Sequence, residues 1–168
     1  SHIALECALQ SQPNICLISE EVEAKQMTLN EVVEEIVKVI VLRANAGLNF
    51  GTILIPEGLI EFIPAMRVLI QELNDLLADN EEFASLDGDE AKREYVKSML
   101  TPASCELYRS LPKGIARQLT LDRDPHGNVM VSQIETEKLL IEMVQKRLAV
   151  LKANGEYKGK FSALNHFF

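Results

Sequence analysis

Thr52-Ile53-Leu54-Ile55-Pro56-Glu57-Gly58 reads as a short buried strand closed by a turn. The run is apolar, β-branched in three of its first four residues and ended by a proline and a glycine, the composition expected of a strand in a parallel sheet. Upstream, Thr28-Leu29-Asn30-Glu31 has capping-box spacing. The threonine hydroxyl can accept from the amide of residue 31 while the carboxylate reaches back to the amide of residue 28. Val32, Ile36, Val39, Ile40 and Arg43 carry the helix to Ala46, and Gly47 can take the left-handed conformation that ends it. The density of β-branched residues in this helix predicts heavy burial. Earlier still, Ile15 to Ile18 is a second apolar run of strand length, giving way to Glu20 and Glu21. Two strands separated by a helical crossover of more than a dozen residues pair in parallel. A further helix begins or restarts at Pro64, so the predicted order is βαβα and the fold class α/β, a three-layer domain with a short parallel sheet flanked by helices.

The remaining chain is predominantly helical in pattern. Residues 1–10 place Ile3, Ala4, Cys7 and Ala8 on one side of a helix that starts abruptly, as though sequence preceded it. Residues 78–131 change to short amphipathic pieces, acidic from Asp79 to Glu90 and broken by Pro102, Pro112 and Asp124-Pro125-His126-Gly127. This pattern predicts a helical insertion within a single 1–168 domain. Ser132-Gln133-Ile134-Glu135 repeats the capping-box spacing before a helix through Leu139, Leu140, Met143, Val144, Leu148 and Leu151 to Gly155. A last strand is expected over 161–168.

At 168 residues one hydrophobic core is expected, since a domain of this size buries about 70% of its unfolded surface. Apolar residues make up 47% and charged residues 25% of the chain, an ordinary globular balance. The formal charge of −8 would repel phosphate backbones and anionic headgroups, so neither nucleic acid nor a membrane surface is an expected partner. No apolar run approaches the roughly 20 residues of a membrane span, and no secretory signal pattern is visible at the N-terminus. Cys7, Cys16 and Cys105 form no C-x-x-C pair and have no histidine at ligand spacing. A cytoplasmic setting without metal-bound thiols fits them.

Ligands of open parallel sheets bind beyond the carboxyl ends of the strands, which makes Glu57 the candidate binding residue. Its carboxylate can accept hydrogen bonds from two neighbouring hydroxyls, as a sugar offers, and Gly58 lets a ligand approach the backbone. A carboxylate cannot hold a phosphate. The plainer role for Glu57 is to favour the positive end of the following helix, worth about 0.3 to 1 kcal/mol. Glu20 and Glu21 end the first strand as exposed acids commonly do. His2, His126 and His166 have no partner acid or nucleophile at a telling spacing, and no glycine-rich phosphate loop or dinucleotide fingerprint is present. No catalytic or metal-binding residue is assigned.

Four segments bear a family resemblance: Ser1-His2-Ile3-Ala4-Leu5-Glu6-Cys7-Ala8-Leu9-Gln10, Ile55-Pro56-Glu57-Gly58-Leu59-Ile60-Glu61-Phe62-Ile63-Pro64, Asp124-Pro125-His126-Gly127-Asn128 and Ile134-Glu135-Thr136-Glu137-Lys138-Leu139. Together, and in this order, they closely resemble the long-form pyrophosphate-dependent phosphofructokinases. The resemblance implies a phosphofructokinase-like fold and reversible phosphoryl transfer from pyrophosphate to the 1-hydroxyl of fructose 6-phosphate, with magnesium, in glycolysis and gluconeogenesis. It gives Glu57 a contact to the sugar and places a long-form insertion at 78–131. It further implies dimers or larger homo-oligomers. The family's methionine–glycine–arginine and glycine–tyrosine–glutamate–glycine–arginine motifs, its glycine-rich diphosphate site and its threonine–isoleucine–aspartate motif have no counterpart here. The expectation is therefore a sugar-phosphate-binding portion of a longer enzyme, inactive by itself and needing no magnesium of its own. A non-catalytic regulatory or interaction subunit and an ATP-using relative are the alternatives.

Overall fold

The computed structural model describes residues 2–78, 80–124 and 127–163. Its sheet has two strands, β1 (Ile15–Cys16) and β2 (Ile53–Leu54), paired in parallel with Ile15 opposite Ile53 and Cys16 opposite Leu54. Both lie inside the predicted runs and are shorter than them. The pairing is extended at each end, where the Asn14 and Ile15 amides donate to the Thr52 carbonyl and the Leu17 amide to that of Leu54. At the N-terminal end the Asn14 Oδ1 also accepts from the Thr52 amide at 2.9 Å.

Helices α1 (His2–Ser11), α2 (Ser19–Ala24) and α3 (Leu29–Asn45) precede β2, and α4 (Pro64–Leu77) follows it after a 3-10 turn over Leu59–Phe62. The capping box of α3 forms as read: Thr28 Oγ1 accepts from the Glu31 amide at 3.2 Å, and Glu31 Oε2 accepts from the Thr28 amide at 2.7 Å. At the other end Gly47 has φ 78°. Its amide donates to Ala44 and the Leu48 amide to Arg43, the double closure that a left-handed residue permits. Heavy burial holds only for the first part of α3. Leu29, Val32, Val33, Ile36 and Val37 are buried, Ile40 and Val41 are half-buried, and Leu42 is 62% exposed.

The chain then runs through α5 (Glu81–Ser85), α6 (Asp89–Met99), α7 (Pro102–Ser110) and α8 (Lys113–Leu121) to α9 (Thr136–Ala153). Among the described residues of 78–131, short helices run as far as Leu121, and Val96, Tyr108, Ile115 and Leu119 belong to the same buried cluster as the residues of α3, α4 and α9. Helix α9 packs on α3, with an ion pair from Arg147 to Glu34 across them. The capping box expected at Ser132 does not form. Residues Val131–Gln133 make a 3-10 turn and Ile134, 5% exposed, is drawn into the core in an extended conformation, so that α9 starts at Thr136. The Glu135 carboxylate instead accepts from Gln118, at 3.3 Å, and from Lys138. Phe161 to Ala163 are not in a strand, and the rest of the predicted last strand lies outside the described residues.

Two polar side chains tie distant segments. Glu72 of α4 accepts from the amide and hydroxyl of Thr101, at 3.1 and 2.8 Å, and from the Ser104 hydroxyl at 2.8 Å. It thereby supplies the N-terminus of α7 with an acceptor that Thr101's own side chain does not provide. Arg123 donates to the Leu73 and Leu119 carbonyls at the ends of α4 and α8, to the Gly127 carbonyl and to Asn74 Oδ1. Burial pushes its guanidinium down to about 10 against the opposing charge of Asp124.

Partial burial raises the Glu72 carboxyl, but the hydrogen bonds from Thr101 and Ser104 outweigh it and leave the group below its ordinary 4.5. A depressed carboxyl contributes stability that is complete above 4.5 and is lost as pH falls through the folded value. Glu72→Gln should accordingly cost about 1 kcal/mol in urea denaturation at neutral pH. The gap to the wild type should close as the pH is lowered below 4.5 and through the folded value; a gap independent of pH would contradict this role.

Candidate functional site

Parallel pairing sends both strands out at the same end of the sheet, and both exits enter helical structure within a few residues. β1 leads through Leu17 and Ile18 into α2, and β2 leads through Ile55 and Pro56 into a turn at Glu57 and Gly58. That turn is closed by the Leu59 amide on the Pro56 carbonyl, at 3.2 Å, and by the Glu61 amide on the Gly58 carbonyl, at 3.1 Å. Leu59, Ile60 and Ile63, at most 1% exposed, anchor it in the core, and the 3-10 turn lies against α2.

Above this anchor Glu57 is exposed, and its carboxylate has no hydrogen bond or ion pair among the described residues. Gly58 has φ −83°, an angle open to any residue, and a Cβ placed there would meet nothing within 4 Å. Neither backbone conformation nor internal packing demands a glycine at 58. What its lack of a side chain does provide is open access to the backbone beside Glu57. The plainer reading of Glu57 as a helix-dipole partner is weakened, because only a four-residue 3-10 turn follows it and α4 begins at Pro64.

The other sequence candidates scatter. Glu20 and Glu21 lie in the first turn of α2 rather than on an open strand end, and Glu21 pairs with Lys25 at 3.4 Å. His2 is exposed on α1, while His126 and His166 lie outside the described residues. Cys7, Cys16 and Cys105 are free thiols. No group of three or more His, Cys, Asp or Glu side chains among the described residues is arranged to hold a metal ion. No described helix is long and apolar enough to cross a membrane. A shallow groove lined by Lys25, Met27, Glu31, Glu34, Glu35 and Lys38 has too little apolar wall to enclose a small molecule and includes no residue of the Glu57 turn.

The whole chain matches a pyrophosphate–fructose 6-phosphate 1-phosphotransferase of Porphyromonas gingivalis at 55% identity over 168 residues. The match takes in all of this chain but only part of that enzyme. Enzymes of the same name match over the full chain in Treponema pallidum, at 52% identity, and as subunit beta 1 in Arabidopsis thaliana, at 51%. The chain spans 31%, 30% and 28% of the length of these three relatives. No protein-family model matches it.

Sequence reasoning missed Arg67, which stands in the first turn of α4 beside this segment's turn. Its Nε donates to the Glu61 carbonyl at 2.9 Å and its Nη2 to Glu23 Oε1 at 2.7 Å. A usable signal existed: a basic residue in a first helical turn opposes the helix dipole, so its presence there calls for a partner elsewhere.

An exposed carboxylate without partners contributes little to folding. Glu57→Ala should leave the urea midpoint of the chain within about 0.5 kcal/mol of wild type, whereas Ile60→Ala, which empties the anchor beneath it, should cost about 2 to 5 kcal/mol. A large loss for Glu57→Ala would mean a structural role.

Proposed function

We propose that this segment forms part of the fructose 6-phosphate site of a pyrophosphate-dependent phosphofructokinase, with Glu57 accepting hydrogen bonds from the sugar hydroxyls. The observation that carries the reading is the free, exposed Glu57 carboxylate at the exit of a parallel strand, beside a glycine that the fold itself does not require. The position is the one at which open parallel sheets bind ligands. The names of the matched relatives supply the substrate pair and favour pyrophosphate over ATP as donor.

In the proposed reaction the 1-hydroxyl oxygen of fructose 6-phosphate attacks a phosphorus of pyrophosphate. The hydroxyl proton passes to a base supplied from outside these residues, the bridging P–O bond breaks, orthophosphate leaves with the bond's electron pair, and fructose 1,6-bisphosphate is formed. Such transfers depend on positioning and on neutralising charge at phosphorus. Glu57 can serve the first need by fixing the sugar, so that the 1-hydroxyl is presented in one orientation. It cannot serve the second. The Glu57 carboxylate suits hydroxyl groups and repels phosphate, so the phosphate of the sugar and the diphosphate belong to cationic groups outside the Glu57 turn. The 168 residues alone are accordingly proposed not to turn over. Magnesium is part of the proposal for the complete enzyme, where it would neutralise the diphosphate, and no step assigned to these residues runs through it. A cytoplasmic, glycolytic setting, a dimer or larger assembly, and an insertion over residues 78–131 complete the reading.

The test is Glu57→Ala in the full-length enzyme. Loss of hydrogen bonds to a charged acceptor, about 1.5 to 3 kcal/mol, should lower kcat/KM for fructose 6-phosphate by about tenfold to a hundredfold. The KM for pyrophosphate should barely change. An unaltered specificity constant for the sugar phosphate would remove Glu57 from the site.

A further inference from the structure

Arg67 joins the two strand exits through one guanidinium. Its Nε donates to the carbonyl of Glu61, in the 3-10 turn that starts directly after Glu57 and Gly58, and its Nη2 donates to the carboxylate of Glu23 on α2, the helix that follows β1. The planar fork of arginine fixes the direction of both bonds at once, which a lysine ammonium would not. The side chains of the ion pair are 51% and 39% exposed, and exposed pairs contribute little to stability. Packing of Leu59, Ile60 and Ile63 sets how deeply the turn sits, but apolar contact is not directional. The hydrogen bonds of Arg67 are directional, and they fix the turn relative to α2.

We propose that Arg67 is a positioning residue for the sugar-binding turn: through Glu61 and Glu23 it holds Glu57 at the orientation the substrate hydroxyls require. The proposal rests on the sugar contact assigned to Glu57 and adds the device that aims it. A hydrogen-bonded path leads from the Arg67 guanidinium to the Glu61 carbonyl, from the Glu61 amide to the Gly58 carbonyl, and so to the residue next to Glu57. Releasing the clasp leaves the turn folded on its apolar anchor but free to shift laterally.

The experiment uses the full-length enzyme carrying Arg67→Ala, Arg67→Lys, Glu23→Gln, Glu57→Ala and the Arg67→Ala/Glu57→Ala pair. Arg67→Ala should raise the KM for fructose 6-phosphate about three- to tenfold, a fraction of the roughly 10²-fold that a 1 Å displacement can cost. The KM for pyrophosphate and the melting temperature should not move. Glu23→Gln should produce a smaller change of the same kind, and Arg67→Lys should recover only part of the loss. In the Glu57→Ala background Arg67→Ala should add almost nothing, because both act through one contact. An unchanged sugar-phosphate KM, an equal rise for pyrophosphate, full recovery by lysine, or an additive double variant would each overturn the clasp. If Glu57→Ala changes the KM and Arg67→Ala does not, the clasp alone fails; if Glu57→Ala has no effect, the underlying sugar contact fails first.

Discussion

Parallel pairing of Ile15–Cys16 with Ile53–Leu54 is the constraint from which the rest of the molecule follows. Two strands of two residues cannot hold themselves together, since even larger isolated pairs are marginal in water. Their register is imposed by what surrounds them: the α2–α3 crossover, the carbonyl and side-chain contacts around Asn14 and Thr52, and the apolar residues that follow each strand into the core. Because the strands run the same way, their exits are neighbours. The turn at one exit is therefore tied through Arg67 to the helix that follows the other, although Glu23 and Arg67 are 44 positions apart in the chain.

Much of this was legible in the residues because the signals were local. Thr28 and Glu31 specify their own cap within four residues, and the closure at Gly47 uses bonds that span three and five. The apolar runs at 15–18 and 52–55 identify strands without reference to anything else. The place of Glu57, exposed in the turn that follows β2, was legible for the same reason. The reading failed where a local signal met a stronger tertiary demand. Ser132 and Glu135 have the spacing of a cap, but Ile134 between them is worth more in the core than in a helix, and its burial forces the chain to extend. The second half of α3 reads as apolar as the first, yet periodicity cannot tell which turns have a neighbour to pack on.

What sequence pattern does not carry at all is the set of polar ties across long separations. Glu72 serves the start of α7 from 29 residues away, and Arg123 gathers carbonyls from α4, α8 and the loop after it. Each is one charged residue, Glu72 on a helix and Arg123 in the segment just after one, indistinguishable in the sequence from a solvated one. Their roles come from satisfying backbone groups that helix ends leave open, and which end needs which side chain is settled only when the helices meet. Within 78–131 these ties accompany a continuous apolar core, so the short helices are held by both means.

Helix α1 shows the opposite condition. None of its ten residues is buried, and Ile3 and Leu9 present 70% and 76% of their surface to solvent. A peptide of that length is below the roughly 12 to 15 residues at which even favourable sequences stay helical unaided. Its coil form is therefore separated from the folded one by a small gap, held against β1 by little more than the contact of the Cys16 thiol with the Ala4 carbonyl at 4.0 Å. In amide exchange α1 would lose its protection long before α3, α4 or α9, and a protease offered the folded chain would cut there first.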